Sequence, residues 1–253
     1  MVDIFGFFTE EMTIRLLLGL TFCTILAVVG HRKGALNRSG AVASWVIGMT
    51  IILMVGVPWL VLILVFFVVG VAATRYKFKA KRAMGIAEER LGARSWQNVM
   101  ANGMSPLLFV ISEFISPGAI FVAGYLGAIS TAMADTMSSE IGMTSQSDPW
   151  LITNLKRVKP GTHGGVSLLG TAASLVGCLI VGFFAWSMRI ETKAEWSIVS
   201  VVLICAVGGI VGSTVDSILG AIFELKGKMS NSQVNLISTL AGGLAAISIY
   251  LVL

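Results

Sequence analysis

Residues 40–73 read GAVASWVIGMTIILMVGVPWLVLILVFFVVGVAA, a run of 34 residues without a charged side chain. A membrane-spanning helix needs about 20 predominantly apolar residues, so one helix of this length would overshoot the bilayer. Gly56-Val57-Pro58 lies at the middle of the run, and proline in a helix interior removes a backbone hydrogen bond. We therefore predict a tight hairpin of two spans, 40–56 and 57–73, with one long kinked helix as the alternative.

The composition of the whole chain also predicts a membrane protein. Hydrophobic residues make up 56% of the 253 residues and charged residues 12%, whereas soluble domains carry about 25% charged residues. We expect an all-α polytopic membrane helix bundle of about eight transmembrane helices, with seven left open, in a single integral membrane domain, 1–253. The predicted spans are 12–30, 40–56, 57–73, 97–112, 117–134, 166–187, 197–223 and 234–252.

The distribution of positive charge predicts an orientation. If the N-terminus lies outside and eight segments cross, four loops on the inner side hold 15 of the 18 Lys and Arg residues. Cytoplasmic loops carry an excess of these residues, whereas a single span at 40–73 would scatter them over both faces. We therefore expect a plasma-membrane protein whose polar region faces the cytoplasm. The four inner loops are 31–39, 74–96, 135–165 and 224–233.

The segment 75–94, RYKFKAKRAMGIAEERLGAR, has apolar residues at helical spacing and several cations. We expect a cytoplasmic interfacial amphipathic helix that extends its cations to lipid headgroups. A basic wall that helps hold an anionic substrate is the alternative. The predicted apolar face consists of Tyr76, Ala80, Ala83, Ala87 and Leu91.

Two carboxylates stand beside hydroxyls in ADTMSSEIG, residues 134–142. Asp135 and Glu140 would be about 140° apart around a regular helix, so either the helix ends here or only one of them is a direct ligand. Mg²⁺ accepts one or two carboxylates together with substrate phosphates. The pattern favours metal or phosphate chemistry in a cytoplasmic active-site loop, 135–165, with Ser139 on the face of Asp135. Solvation of a helix end is the alternative.

A basic loop with a glycine pair, KRVKPGTHGGVS, occupies 156–167. Cations neutralise phosphate charge, and glycine backbone N–H groups before a helix can approach an anion closely. Positive-inside anchoring explains the same cations, and the spacing is not that of a Walker loop. The predicted phosphate-binding residues are Lys156, Arg157, Lys159, Thr162, His163, Gly164, Gly165 and Ser167.

Every fourth residue from Gly208 to Glu224 is small or acidic, in the order Gly208, Gly212, Asp216, Gly220, Glu224. Such a stripe lets a neighbouring helix approach closely, and Asp216 within a span needs a cation or hydrogen-bond donors. We favour a metal or catalytic role for Asp216 over a packing face whose Asp bonds a neighbouring Ser or Asn. Other candidate contacts to nucleotide or acceptor phosphate are Arg94, Asn98, Asn102, Ser139, Ser213, Arg38 and Ser39. Interhelical hydrogen bonding is the alternative for Arg94, Asn98 and Asn102, and topology signalling is the alternative for Arg38 and Ser39.

The ordered motifs LNRSGAVAS, RSWQNVMANG, ADTMSSEIG, TNLKRVKPGTHGGVSLLGTAAS and GSTVDSILGA resemble a family of integral membrane proteins over residues 35–250. That family includes the phytyl-phosphate kinases of tocopherol biosynthesis and their archaeal relatives. ADTMSSEIG is also similar to the Asp-containing motif of CTP-dependent polyprenol kinases and phosphatidate cytidylyltransferases. Many members carry Asn where this chain has His163, which leaves the role of this position open.

The resemblance implies a kinase that converts an isoprenyl monophosphate, such as phytyl or geranylgeranyl phosphate, to the diphosphate. For this reaction we expect Asp135 and Asp216 to hold Mg²⁺ with Glu140 assisting, and the prenyl tail to lie in an apolar groove open to lipid. The expected partners are a nucleoside triphosphate, with CTP favoured, the isoprenyl monophosphate and the bilayer, without nucleic acid; a homodimer is left open. The alternatives are a lipid-phosphate cytidylyltransferase and a membrane transporter for an anionic substrate.

Overall fold

The computed structural model describes residues 10–87, 93–190 and 196–253. Within these ranges the chain forms nine α-helices, a five-residue π-helical turn and one short antiparallel pair of strands. The helices are α1 (Glu10–Arg32), α2 (Arg38–Met54), α3 (Val57–Arg75), α4 (Phe78–Ala83), α5 (Trp96–Ile115), α6 (Ala119–Gly142), α7 (Leu168–Ser187), α8 (Ile198–Leu219, continued by the π-helix Gly220–Glu224) and α9 (Asn231–Tyr250). The strands are β1 (Trp150–Leu151) and β2 (Gly165–Val166).

The hairpin predicted for 40–73 is confirmed. Helix α2 ends at Met54, and α3 begins at Val57 with Pro58 in its first turn, where a missing N–H costs nothing. Gly56 makes the reversal with φ of 94°, a conformation that favours glycine. Seven helices in the described ranges are long and apolar enough to cross a membrane, and α2, with 17 residues, is shorter. The predicted class, an all-α polytopic bundle, is confirmed.

Helix α6 lies at the centre of the bundle and packs against α3, α5, α7, α8 and α9. Glycines let α6, α8 and α9 cross closely. A Cβ on Gly208 of α8 would lie 2.7 Å from the Cα of Gly127 of α6 and 2.9 Å from the carbonyl oxygen of Gly242 of α9. Thr131 Oγ1 lies at the same crossing, within hydrogen-bonding distance of the carbonyl oxygens of Gly127 (2.9 Å) and Gly208 (3.0 Å). The small-residue stripe of α8 is thus a packing face, as its spacing indicates.

The two ends of the bundle differ in chemistry. The C-terminal ends of α3, α6 and α8 and the N-terminal ends of α5, α7 and α9 surround one polar cavity. Consecutive long helices therefore run in opposite directions. A smaller cavity at the other end is lined from the opposite termini, with Arg15 of α1, Glu113 of α5 and Arg189 after α7. We call the end with the larger polar cavity the polar end.

Two sequence predictions need correction at the polar end. Helix α6 was expected to stop near residue 134 but continues to Gly142, so ADTMSSEIG is helical, and the loop runs from 143 to 167 and contains β1 and β2. In place of an amphipathic helix over 75–94, α3 continues to Arg75 and α4 spans only Phe78–Ala83 before a turn. The positions 88–92 of that prediction lie outside the described residues.

Candidate active site

The polar cavity has a volume of about 660 Å³ and takes its walls from six helices and the 143–167 loop. Most of the side chains in it are hydroxyls, amides and carboxylates, although the helices that carry them are otherwise apolar. The sequence-predicted site residues that line it are Asp135, Ser139, Glu140, Thr162, His163, Gly164, Gly165, Ser167, Arg94, Asn98, Asn102, Ser213 and Asp216. Ser139 and Ser213 come from facing helices, α6 and α8.

Asp135 of α6 and Asp216 of α8 face each other in this cavity, within hydrogen-bonding reach. Both side chains are partly buried. Ser238 of α9 donates its hydroxyl to Asp216 Oδ2 at 3.0 Å, which orients that carboxylate. Among the residues that the structure describes, no Lys or Arg pairs with either carboxylate. Two partly buried carboxylates this close repel each other when both are ionised, so the pair is suited to a cation.

Glu140 also lines this cavity, but its carboxylate is held by a lysine. Lys81 Nζ bonds Glu140 Oε2 and also donates to the carbonyls of Ala73 (3.2 Å) and Thr74 (2.8 Å). Its three N–H bonds are thereby all used, and the side chain is only 1% exposed. The interaction joins α4 to the end of α3 and the last turn of α6, which gives Glu140 a structural partner in place of the metal expected from the sequence.

The described residues contain no group of three or more His, Cys, Asp or Glu side chains placed to hold a metal. A set of three carboxylates, as predicted from Asp135, Glu140 and Asp216, is therefore not assembled. The cavity still offers the facing pair and Asn235 of α9, whose Oδ1 is buried without a hydrogen-bond partner in the described part of the chain. A buried oxygen of this kind is costly unless a ligand or water satisfies it, and such a donor set fits Mg²⁺.

A second acidic group stands on the π-helix that ends α8. Glu224 Oε2 lies 3.2 Å from Nδ1 of His163, and Asn231 is within hydrogen-bonding reach of the same carboxylate. π-helical turns occur frequently at functional sites, where the wider turn changes the direction of a side chain. His163 thus contacts the end of α8 directly, a contact that the spacing of the loop alone does not predict.

The glycine pair brings the loop against α8. Gly164 has φ of 77°, and a Cβ there would collide with the carbonyl oxygen of Ser217 and with Ala221. Gly165 donates its N–H to the carbonyl of Thr162 at 2.9 Å, so this donor is already used. The predicted role of the pair as an anion cradle is thus corrected for Gly165, whose N–H holds the turn together. The structure supports close packing as the reason for glycine at 164.

Ser167 also has a structural task, because its hydroxyl accepts from Gly170 N at 3.1 Å and caps α7. Thr162 donates its hydroxyl to the carbonyl of Lys159 at 2.7 Å. Both residues line the cavity. The start of α7 therefore reaches the cavity with a serine cap in place, a common arrangement at helix N-termini.

Three predicted phosphate-binding cations lie outside the cavity walls. Lys156 and Lys159 are exposed. Arg157 stacks its guanidinium on the ring of Trp150, 3.8 Å from the centroid, and donates to the carbonyl of Asp148. The loop therefore uses Arg157 for its own folding, and none of the three cations expected to cradle donor phosphates lines the cavity that holds the carboxylate pair.

Arg94, Asn98 and Asn102 lie on one side of the cavity, as their spacing predicts. Asn98 also completes a capping box, since its Oδ1 accepts from the backbone N–H and the hydroxyl of Ser95. Arg38 and Ser39 do not line the cavity. Ser39 bonds Asn37 Oδ1 and accepts from the backbone N–H of Trp96, which ties the starts of α2 and α5 together.

Sequence reasoning missed several polar groups that the fold brings to the cavity. They share one signal, a hydroxyl or amide within the turns of an apolar helix that are nearest the polar end. These residues are Thr74, Thr136, Ser138, Thr171, Ser174, Thr214, Ser217, Asn231 and Asn235. The buried Lys81 had no such signal, because its position suggested the polar face of a surface helix.

Comparison with known proteins gives an extended match. Residues 21–243 match the family described as "Integral membrane protein DUF92". The uncharacterized membrane protein MJ0933 of Methanocaldococcus jannaschii is 35% identical over 242 residues, covering 96% of this chain and 97% of the relative. Protein PGR of Arabidopsis thaliana is 31% identical over 237 residues, covering 84% and 80% respectively.

A further relative from Arabidopsis thaliana is the chloroplastic protein VTE6, 29% identical over 220 residues, which cover 84% of this chain and 64% of the relative. No solved structure matches. The family match includes all the motifs of the polar cavity, from Arg94 to Asn235. The chain therefore belongs to the DUF92 family of integral membrane proteins.

Proposed function

We propose that this protein is a prenyl-phosphate kinase that transfers the γ-phosphoryl group of a nucleoside triphosphate, with CTP as the expected donor, to an isoprenyl monophosphate such as phytyl or geranylgeranyl phosphate. The observation that carries the proposal is the facing pair Asp135 and Asp216 in a polar cavity at one end of a membrane bundle. The resemblance of the motifs to the phytyl-phosphate kinases supports the same reaction.

The acceptor oxygen of a phosphate monoester is already anionic near neutral pH, so no residue has to remove a proton from it. This oxygen attacks the γ-phosphorus, a new P–O bond forms, and the bond to the β-phosphate oxygen breaks. The products are the prenyl diphosphate and the nucleoside diphosphate. Transfer between two anions depends on alignment and charge neutralisation, which agrees with a site without an evident general base.

Asp135, Asp216 and the Oδ1 atom of Asn235 are the residues that would hold magnesium, since they offer oxygens without a cationic partner in the described ranges. A bound Mg²⁺ supplies positive charge to the phosphate oxygens. Without such a charge the carboxylates of the cavity would repel both substrates. Ser238 orients Asp216, and Lys81 holds the second α6 carboxylate, that of Glu140, in an ion pair.

The remaining polar groups of the cavity would position the two phosphate chains. His163, Thr162 and the capped start of α7 form the wall beside α8, where the donor phosphates would lie. Arg94 and Asn98 form the opposite wall and would receive the acceptor phosphate. We further propose that the polar end lies on the cytoplasmic side of the plasma membrane, because the basic loops are at this end and nucleotides are available in the cytoplasm.

The proposal is tested with purified protein in detergent, [γ-³²P]CTP or [γ-³²P]ATP, Mg²⁺ and phytyl or geranylgeranyl monophosphate. We expect labelled prenyl diphosphate and unlabelled nucleoside diphosphate. A lipid-phosphate cytidylyltransferase would release pyrophosphate and form a CDP-linked lipid, whereas a transporter for an anionic substrate would need sealed vesicles and a gradient. Absence of prenyl diphosphate with every donor and acceptor pair would refute the kinase.

A further inference from the structure

A second, apolar cavity of about 270 Å³ lies between α1, α2, α3 and α5. Its walls are mostly aliphatic and aromatic, with Cys23, Leu60 and Ile63 farthest from the polar end. Among its described lining residues there is no Asp or Glu, and three cations stand at the polar end of the cavity: Lys33, Arg75 and Arg94. This distribution matches an amphiphile with an anionic head and a hydrocarbon tail.

The apolar cavity adjoins the polar cavity, because Arg94, Asn98 and Asn102 line both. Arg94 is fixed at this junction by its backbone, which donates to Ala35 O at 3.0 Å and accepts from Asn37 N at 3.1 Å. Its guanidinium lies over the ring of Phe66, 5.3 Å from the centroid, and beside Gly70. In a molecule that fills both cavities, the junction between the polar and the apolar part would therefore lie beside the Arg94 cation.

The outer side of the apolar cavity opens toward lipid. Val29 of α1 and Val68 of α3 line it and are 47% and 62% exposed, so the cavity is open at the surface of the bundle between these two helices. At about 30 Å³ for a group the size of water, 270 Å³ holds on the order of nine such groups. The space thus fits about two five-carbon isoprene units, and a longer chain would leave between α1 and α3.

We infer that this cavity binds the tail of the isoprenyl monophosphate, with its first two isoprene units enclosed and its phosphate at Arg94, pointing into the polar cavity. The inference rests on the proposed function and adds to it the site and the enclosed length of the acceptor. Enclosing only the first units allows prenyl chains of different total length to bind in the same register. Bilayer phospholipids provide the same head-and-tail chemistry and are the competitor in the test.

The test uses geranylgeranyl monophosphate with a photoreactive diazirine on its second isoprene unit, added to the full chain in detergent without nucleotide. We expect crosslinks to residues of α1, α2 and α3 that line the cavity. Ala27→Trp fills the cavity from α1 and should reduce labelling at least fivefold. Val28→Trp is the matched control, because Val28 is the next residue, is 44% exposed and does not line the cavity.

Ser44→Phe narrows the same cavity from α2. It is a second cavity variant, so the conclusion does not depend on the correct folding of Ala27→Trp alone. Both cavity variants should elute as the wild type does in size-exclusion chromatography and lose labelling. Crosslinks spread over lipid-facing positions, equal labelling of Ala27→Trp and Val28→Trp, or equally efficient labelling of the cavity by a diazirine phosphatidylglycerol would each overturn the inference.

Turnover measured on the same preparation separates the two proposals. If the wild type forms prenyl diphosphate but the label lies elsewhere, the tail site is wrong and the kinase stands. If the label maps to the cavity and is lost in Ala27→Trp but no diphosphate forms with any donor, the tail site stands and the kinase is wrong.

Discussion

Lys81 of α4 and Glu140 of α6 form an ion pair in the interior of the protein, although 59 residues separate them in the sequence. The lysine also donates to two carbonyls at the end of α3, so one ammonium group connects three helices. Glu140 is thereby held in an ion pair, and Asp135, one and a half turns earlier on α6, lies opposite Asp216.

Removal of the ammonium group in Lys81→Met should destabilise the protein by about 3–5 kcal/mol, because a buried carboxylate loses its partner. The double variant Lys81→Met/Glu140→Gln should recover most of this loss, since no buried charge remains. The measurement is the apparent Tm in detergent, analysed as a double-mutant cycle. Lys79→Met, at an exposed position of the same helix, is the control. Additive effects of the two substitutions would contradict the pair.

Asp135→Asn and Asp216→Asn should each lower turnover at least about a hundredfold, because each removes one carboxylate of the proposed magnesium site. Neither should lower the apparent Tm measured with EDTA, since each relieves repulsion between facing carboxylates. The wild type should gain thermal stability on addition of Mg²⁺, and both variants should lose this gain.

Asp148→Asn is the control for the carboxylate pair, because Asp148 is exposed and does not line the cavity. It should keep both turnover and the response to Mg²⁺. Full activity of both cavity variants would show that the pair does not hold the metal.

Gly164→Ala should displace the 143–167 loop from α8. A left-handed conformation costs a residue with a Cβ about 1–2 kcal/mol, and here the Cβ would also collide with α8. Gly227→Ala has the matching backbone penalty, with φ of 66°, but meets no atom within 4 Å. We expect a tenfold or greater rise in nucleotide KM only for Gly164→Ala. Equal kinetics in the two variants would mean that contact between the loop and α8 is unimportant for nucleotide binding.

Substitutions of the loop cations should have different effects at different positions, although the spacing of these cations in the sequence does not distinguish them. Arg157→Ala removes the stacking on Trp150 and the bond to Asp148, so cleavage of the loop by chymotrypsin should become faster. Lys156→Ala should change nucleotide affinity less than threefold, because this side chain is exposed and does not line the polar cavity. A larger loss of affinity in Lys156→Ala would restore the phosphate-binding role that the sequence suggests.

The sequence predicts those parts of the molecule that depend on local composition and on spacing along one helix. Apolar runs place the helices, Gly56-Val57-Pro58 places the hairpin, and the four-residue spacing around Asp216 indicates a close helix crossing. Helix α6 was predicted too short, because the polar side chains after residue 134 resemble a loop when their partners are unknown. Those partners, Asp216 and Lys81, belong to other helices and are brought together only by the packing of the bundle.

The orientation of the polar end is tested through the two ends of α7. Lys156→Cys places a thiol on the loop before this helix, and Ser187→Cys places one at its last residue; both positions are exposed. The native thiols at Cys23, Cys178 and Cys205 are buried, so they should react slowly. In intact cells a membrane-impermeant maleimide should label only Ser187→Cys, and permeabilised cells should give labelling of both. The opposite pattern would place the polar cavity outside, where the proposed nucleotide donor is scarce, and would contradict the orientation deduced from the basic loops.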